Sequence, residues 1–123
     1  MISLLFIHPD KKLSKIYGSH LRNHFAFDSA YDGLSGIRKI RQIKPNIIVS
    51  EYHLPMLSGS AVLKFVRSHP ELHHIPFLFL TDHLDPSQGL SLGANDWLPY
   101  SSTFPHLLAE KIYYHIKLNP HAL

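Results

Sequence analysis

An α/β architecture is the fold class this sequence predicts: five parallel strands in the order 2-1-3-4-5, flanked by five helices. Three observations predict it. Ile47-Ile48-Val49 and Phe77-Leu78-Phe79-Leu80 are short, wholly apolar runs that stop at polar residues, the pattern of strands buried on both faces of a parallel sheet. Between the apolar runs lie stretches whose apolar residues recur at the helical period. Pro9, Pro55, Gly59 and Pro70 punctuate the junctions.

Taken in order, Ile2 to Ile7 is a first strand ending at His8-Pro9-Asp10. Pro9 cannot continue a central strand, and Asp10 can cap a helix by accepting backbone N–H bonds. That helix runs to about Asn23, with Leu13, Ile16, Tyr17 and Leu21 inward and Lys11, Lys12, Lys15 and Arg22 outward. Phe25 to Ala30 alternates as a second strand. Asp32 caps a second helix to about Ile43, with Leu34, Ile37 and Ile40 inward and Arg38, Lys39, Arg41 and Lys44 outward. The central strand ends at Glu51, and Gly59 to Ser68 is a third helix with Val62, Leu63, Phe65 and Val66 mostly inward. Pro76 to Thr81 is the fourth strand. His83 to Leu92, broken by Pro86 and Gly89, is expected to be a short helix. Asn95 to Leu98 is a brief fifth strand. Ser102 or Thr103 is expected to cap the last helix, with Pro105 in its first turn and Leu107, Leu108, Ile112 and Ile116 as its apolar stripe.

Composition bounds the function. The chain has 123 residues, read as one domain (1–123), with 45% hydrophobic and 17% charged residues, which excludes a disordered or membrane-spanning class. Ile2 to Ile7 is too short to span a bilayer and has no basic flank or small-residue cleavage site, so a cytoplasmic protein is expected. The absence of cysteine excludes disulfide and thiol chemistry. Net charge is +3, with +5 in residues 1–44 and −2 in the remainder. Such a basic footprint admits a nucleic-acid-binding accessory domain. In the expected fold, however, the two basic helices pack on opposite faces of the sheet, so solvated helix exteriors are the preferred reading.

In open parallel sheets, ligands gather beyond the carboxyl ends of the strands at the switch point between the first and third. His8-Pro9 and Glu51 should therefore face each other across one crevice, with Thr81 and Tyr100 on its rim. A flavodoxin-like cofactor enzyme would need a Gly-rich phosphate loop after the first strand, and Pro9-Asp10-Lys11-Lys12 is a poor cradle.

Three stretches, in order, carry a family resemblance: Leu54-Pro55-Met56-Leu57-Ser58-Gly59 after the central strand, Ile75-Pro76-Phe77-Leu78-Phe79-Leu80-Thr81, and Gly93-Ala94-Asn95-Asp96-Trp97-Leu98. Over its whole length the chain resembles the receiver domain of bacterial two-component response regulators, a flavodoxin-like fold. That resemblance implies a phosphoryl group passed from a histidine kinase to an Asp ending the third strand. It also implies Mg²⁺ on an acidic pair after the first strand, a Ser or Thr ending the fourth, a Lys ending the fifth, and an aromatic switch residue three positions earlier. Here Glu51 holds the phosphoacceptor position, His8 and Pro9 the acidic pair, and Tyr100 the lysine position. Thr81 is retained, Trp97 holds the switch position, and Asp82 replaces the usual small residue.

These departures imply a pseudo-receiver without enzymatic activity. Mg²⁺ wants near-octahedral oxygen ligands, which Pro9 and His8 do not supply, so it is not expected. Glu51 reaches about 1.5 Å further than Asp, and a misplacement of about 1 Å can cost on the order of a hundredfold in rate. Without Lys and Mg²⁺, and with Asp82 adding negative charge, phosphotransfer is expected to be absent. A bond from Thr81 to Glu51 would instead draw Thr81 inward and make room for Trp97. Glu51 would then act as a fixed, imperfect phosphomimetic, with the Tyr100 phenol as a second candidate donor to the same carboxylate.

Function would then run through protein contacts, with a partner protein or the chain's own output domain. A homodimer through the face of the fourth helix, fifth strand and last helix is a further expectation, and Leu90, Tyr113, Tyr114 and His115 are the candidate contacts. Eleven histidines keep one alternative open. His8, His53 and His83, on the loops near Glu51 and Asp82, could form a metal- or pH-responsive cluster. No recognised ligand spacing supports Zn²⁺, and His69, His73, His74, His115 and His121 read as loop or helix-surface residues.

Overall fold

Five strands, β1 (Ser3–Ile7), β2 (Ala26–Ala30), β3 (Ile47–Ser50), β4 (Phe77–Thr81) and β5 (Asp96–Pro99), pair in parallel in the order β2-β1-β3-β4-β5. The computed structural model describes residues 1–82 and 85–120. Helices α1 (Lys11–Leu21), α2 (Gly33–Ile43), α3 (Gly59–Ser68), α4 (Pro86–Ser91) and α5 (Pro105–Leu118) follow the strands in turn. The predicted architecture is the observed one.

Alternation along the strands sends successive side chains to opposite faces. Leu4, Phe6, Ile47, Val49, Leu78 and Leu80 pack with Tyr17 and Leu21 of α1 and Leu108, Ile112 and Ile116 of α5. Leu5, Ile7, Ile48, Phe77 and Phe79 pack with Ile40 of α2 and Val62, Leu63 and Val66 of α3. The basic exteriors of α1 and α2 therefore belong to opposite layers, as expected.

Helix boundaries follow local chemistry. Asp10 Oδ1 accepts from the N–H groups of Lys12 and Leu13 at 2.9 and 3.2 Å, and Asp32 Oδ1 accepts from Ser35 N–H at 2.7 Å. The Ser35 amide, more than any other group, holds the Asp32 carboxyl below its ordinary pKa, with the Ser35 hydroxyl adding to it. Ser58 caps α3 through Ala61 N–H at 3.1 Å.

Three expectations are corrected. Neither Ser102 nor Thr103 caps α5: Tyr100–Ser102 form a 3-10 turn, Thr103 is buried, and Phe104 takes the capping position without a side-chain bond. Thr103 is spent elsewhere, its N–H on Pro99 O at 3.0 Å and its carbonyl on the Tyr17 hydroxyl at 2.7 Å. Ile16 is 61% exposed rather than inward. The buried stripe of α1 is Ser14, Tyr17, Gly18 and Leu21, because small residues let the helix settle onto Phe27. His115 is not a surface contact: it is 7% exposed, and its Nε2 lies 2.8 Å from Asp96 Oδ2, tying α5 to the start of β5.

Candidate functional site

The crevice predicted between the carboxyl ends of β1 and β3 is formed. β1 and β3 are direct neighbours, with Ile7 opposite Ser50, so the residues leaving both strands converge. Glu51 N–H donates to Ile7 O at 2.9 Å and His8 N–H to Ala30 O at 3.0 Å, which fixes both backbones at the mouth. The Glu51 carboxylate turns toward β4: Oε2 accepts from Thr81 Oγ1 at 2.5 Å and from His53 N–H at 3.0 Å. Thr81 is buried at the last position of its strand, so the donor end of this short bond is shielded from water while the half-buried Glu51 carboxylate stays at the mouth.

His8 and Pro9 stand at the positions of the acidic pair that the family resemblance implies. Pro9 is exposed, and His8 Nδ1 accepts the Asp10 amide at 3.0 Å, which assigns the proton of the neutral ring to Nε2. The Asp10 carboxylate does not replace the missing acids, since it caps α1. Burial pushes the His8 imidazole below its ordinary value of 6.5, against the opposing pull of Glu51 and then Asp10.

A pH dependence follows. The unfolded chain protonates His8 first, so this contribution to stability is intact above about pH 6.5 and declines as pH falls below it. Urea midpoints measured from about pH 7 to 5 should fall in the wild type. They should fall less in His8→Asn, which keeps an acceptor for the Asp10 amide.

Tyr100 does not reach Glu51, contrary to one expectation. Its ring lies 6.3 Å from that of His8 and 6.4 Å from that of Tyr17, so it joins an aromatic file along α1. In that file burial, then Tyr100, then Asp82 push the Tyr17 phenol up to about 12. Asp82 is exposed, and its Oδ1 accepts Ser101 N–H at 3.1 Å, pinning the turn after β5 to the end of β4. His53 contributes its backbone to Glu51 while its ring stays exposed against Tyr52. His83, expected on the same rim, and His121 lie outside the described residues. Among the described residues no group of three or more His, Asp or Glu side chains could hold a metal ion.

Trp97 lies inward. Its ring is 5.1 Å from that of Phe79 and 5.3 Å from that of Tyr52, and it covers Gly89 so closely that a Cβ there would overlap the indole. Leu90, Tyr113 and Tyr114 are exposed at 47, 42 and 57%.

Sequence reasoning missed two features. Tyr52 OH donates to Gln88 Oε1 at 3.0 Å, joining the Glu51 loop to α4, and no local pattern signals a pair so far apart. A groove of ≈ 200 Å³ between α1 and the start of α5 is lined by Leu13, Ile16, Tyr17, Tyr100, Phe104 and Pro105. Ile16 at its rim, read from the sequence as a core residue, is exposed, as is Phe104.

No family model matches the chain. The response regulator MprA of Mycobacterium ulcerans is 31% identical over 112 residues, 88% of this chain and 47% of that protein. The regulatory protein VanRc of Enterococcus gallinarum is 30% identical over 99 residues, 77% of this chain and 42% of that protein. The crystal structure of a response regulator receiver domain protein from Clostridium thermocellum superposes with a TM-score of 0.88 at 17% identity, covering 100% of both chains. This chain is a response-regulator receiver domain. The receiver spans less than half the length of the two curated relatives named. Receivers of this kind are generally signalling modules of two-component systems that work with output domains or partner proteins. Among the described residues of this one, no helix is long and apolar enough to cross a membrane.

Proposed function

We propose that this receiver signals without phosphoryl transfer, held near one conformational state by Glu51, and that it acts through protein contacts. The observation that carries this reading is the bond from Thr81 Oγ1 to Glu51 Oε2 at 2.5 Å beside an indole packed inward on Phe79 and Gly89. A carboxylate supplies about one negative charge where a phosphoryl group supplies nearly two. It nonetheless recruits the same hydroxyl. A hydrogen bond to a charged acceptor contributes roughly 1.5 to 3 kcal/mol, enough to bias a two-state equilibrium tenfold or more.

The chemistry of transfer lacks its parts. Pro9 offers no ligand, the Nδ1 of His8 is engaged by a backbone amide, and the Asp10 carboxylate caps a helix, so the residues at the acidic-pair positions do not fit Mg²⁺. Tyr100 brings no positive charge, and its ring lies among Tyr17 and His8. Nothing at these positions offsets charge developing on a transferred phosphoryl group. The contact face then rests on Leu90 and Tyr114, whose exposed apolar surface suits a protein partner or an output domain; the Tyr113 ring, expected there as well, lies instead 5.0 Å from that of Phe25 and 6.1 Å from that of His24, beside the junction of α1 and β2.

Trp97 emission tests the reading. Glu51→Gln weakens the acceptor and Thr81→Ala removes the donor, so both variants should show a shifted spectrum relative to the wild type. Identical spectra in all three would dismiss the fixed state. Incubation with acetyl phosphate and Mg²⁺ should leave the mass of the protein unchanged, and a phosphorylated adduct on Glu51 would overturn the loss of transfer.

A further inference from the structure

We infer that Tyr52 is a positioning residue that passes the state of the Glu51 carboxylate to α4, by a route separate from Thr81; this deepens, and rests on, the fixed-state reading above. Glu51 Oε2 takes two donors, the Thr81 hydroxyl and the His53 amide. The second bond folds the carboxylate back over its own loop and closes the backbone around Tyr52. From the other side, Gly59 N–H donates to Tyr52 O at 2.8 Å. There the chains approach so closely that a Cβ on Gly59 would lie 2.5 Å from Glu51 O and 2.9 Å from Tyr52 Cα. The Tyr52 backbone is thus gripped by the carboxylate on one side and by the start of α3 on the other.

That grip aims the side chain. The Tyr52 ring lies 5.3 Å from both Phe79 and Trp97, and its hydroxyl donates to Gln88 Oε1 at 3.0 Å. Gln88 belongs to α4, which has only six residues, with Pro86 first and Gly89 in the middle. A helix so short, with a glycine inside, does not hold itself together in water. It is held by two local caps, Asp85 at its start and the bond from Ala94 N–H to Gly89 O at 3.1 Å at its end, and by two tertiary fixings, the indole over Gly89 and the Tyr52 hydroxyl. Of these, the Tyr52 bond starts in the loop that the Glu51 carboxylate organises. α4 also presents Leu90 to solvent, so its order sets the shape of part of the contact face.

Amide hydrogen exchange across residues 87–92 tests this in the wild type, Tyr52→Phe, Gln88→Met, Glu51→Gln and the Glu51→Gln/Tyr52→Phe double variant. Losing one neutral hydrogen bond should speed exchange in α4 by about three- to tenfold in Tyr52→Phe and in Gln88→Met. Amides of the central strands report global opening and should stay at wild-type rates. Glu51→Gln should also speed α4 exchange, and the double variant should exchange no faster than its faster parent, because both changes cut one connection. Wild-type exchange in Tyr52→Phe would overturn the inference, as would effects of Glu51→Gln and Tyr52→Phe that multiply in full. The fixed-state reading fails on a different readout, an unchanged Trp97 emission in Glu51→Gln, so the two failures are distinguishable.

Discussion

Arg67→Met is expected to lower stability by about 2–4 kcal/mol, read as a fall in the urea midpoint at unchanged slope. The Arg67 guanidinium donates to Gly93 O, His73 O and Ile75 O at 2.9, 2.9 and 2.7 Å and to Asn95 Oδ1 at 2.8 Å. Asn95 Oδ1 in turn accepts Phe77 N–H at 2.8 Å, so one side chain of α3 secures the entries to both β4 and β5. Partial burial holds the guanidinium below its ordinary pKa, yet it stays charged. Methionine keeps the length and apolar bulk of the stem while removing every donor. Arg67→Lys should recover only part of the loss, because an ammonium cannot reproduce the planar fork that reaches four acceptors at once. Full recovery by lysine would mean that charge, and not the fork, does the tying.

Gly59→Ala is expected to cost about 2–3 kcal/mol and to shift Trp97 emission in the same experiment. A methyl group there meets Glu51 O at 2.5 Å, Phe79 Cε1 at 2.8 Å and Tyr52 Cα at 2.9 Å, two of them backbone atoms that cannot swing aside. The loop carrying Glu51 and Tyr52 must move, and the indole leaning on Tyr52 moves with it. Ordinary helix preference favours alanine over glycine by about 1 kcal/mol, so the sign of the result is decisive. Stabilisation of the Gly59→Ala variant would show that the close approach between α3 and the Glu51 loop is absent.

How much of this was legible in the sequence depends on the range of the interaction. The β3 run announced a strand buried on both faces, and its abrupt end at Glu51 placed a carboxylate at the crevice. Thr81 was legible for the same reason, at the end of a short apolar strand, whereas Trp97 was singled out only by the family resemblance. His115 could have been found as well. It falls beside Ile116 on the stripe of Leu108 and Ile112, and a histidine at that spacing belongs to the buried face. Its pairing with Asp96 could not be read, because nothing local selects that carboxylate over another.

The strands, the helical layers and the terminal crevice follow from local pattern together with the usual order for five such units, since periodicity and punctuation are written residue by residue. Which groups close across that crevice was decided only by the folded chain. Glu51 chose Thr81 and the His53 amide over the Tyr100 phenol, and Tyr52 reached Gln88, because side-chain reach and packing select partners only once β1, β3, β4 and α4 stand together.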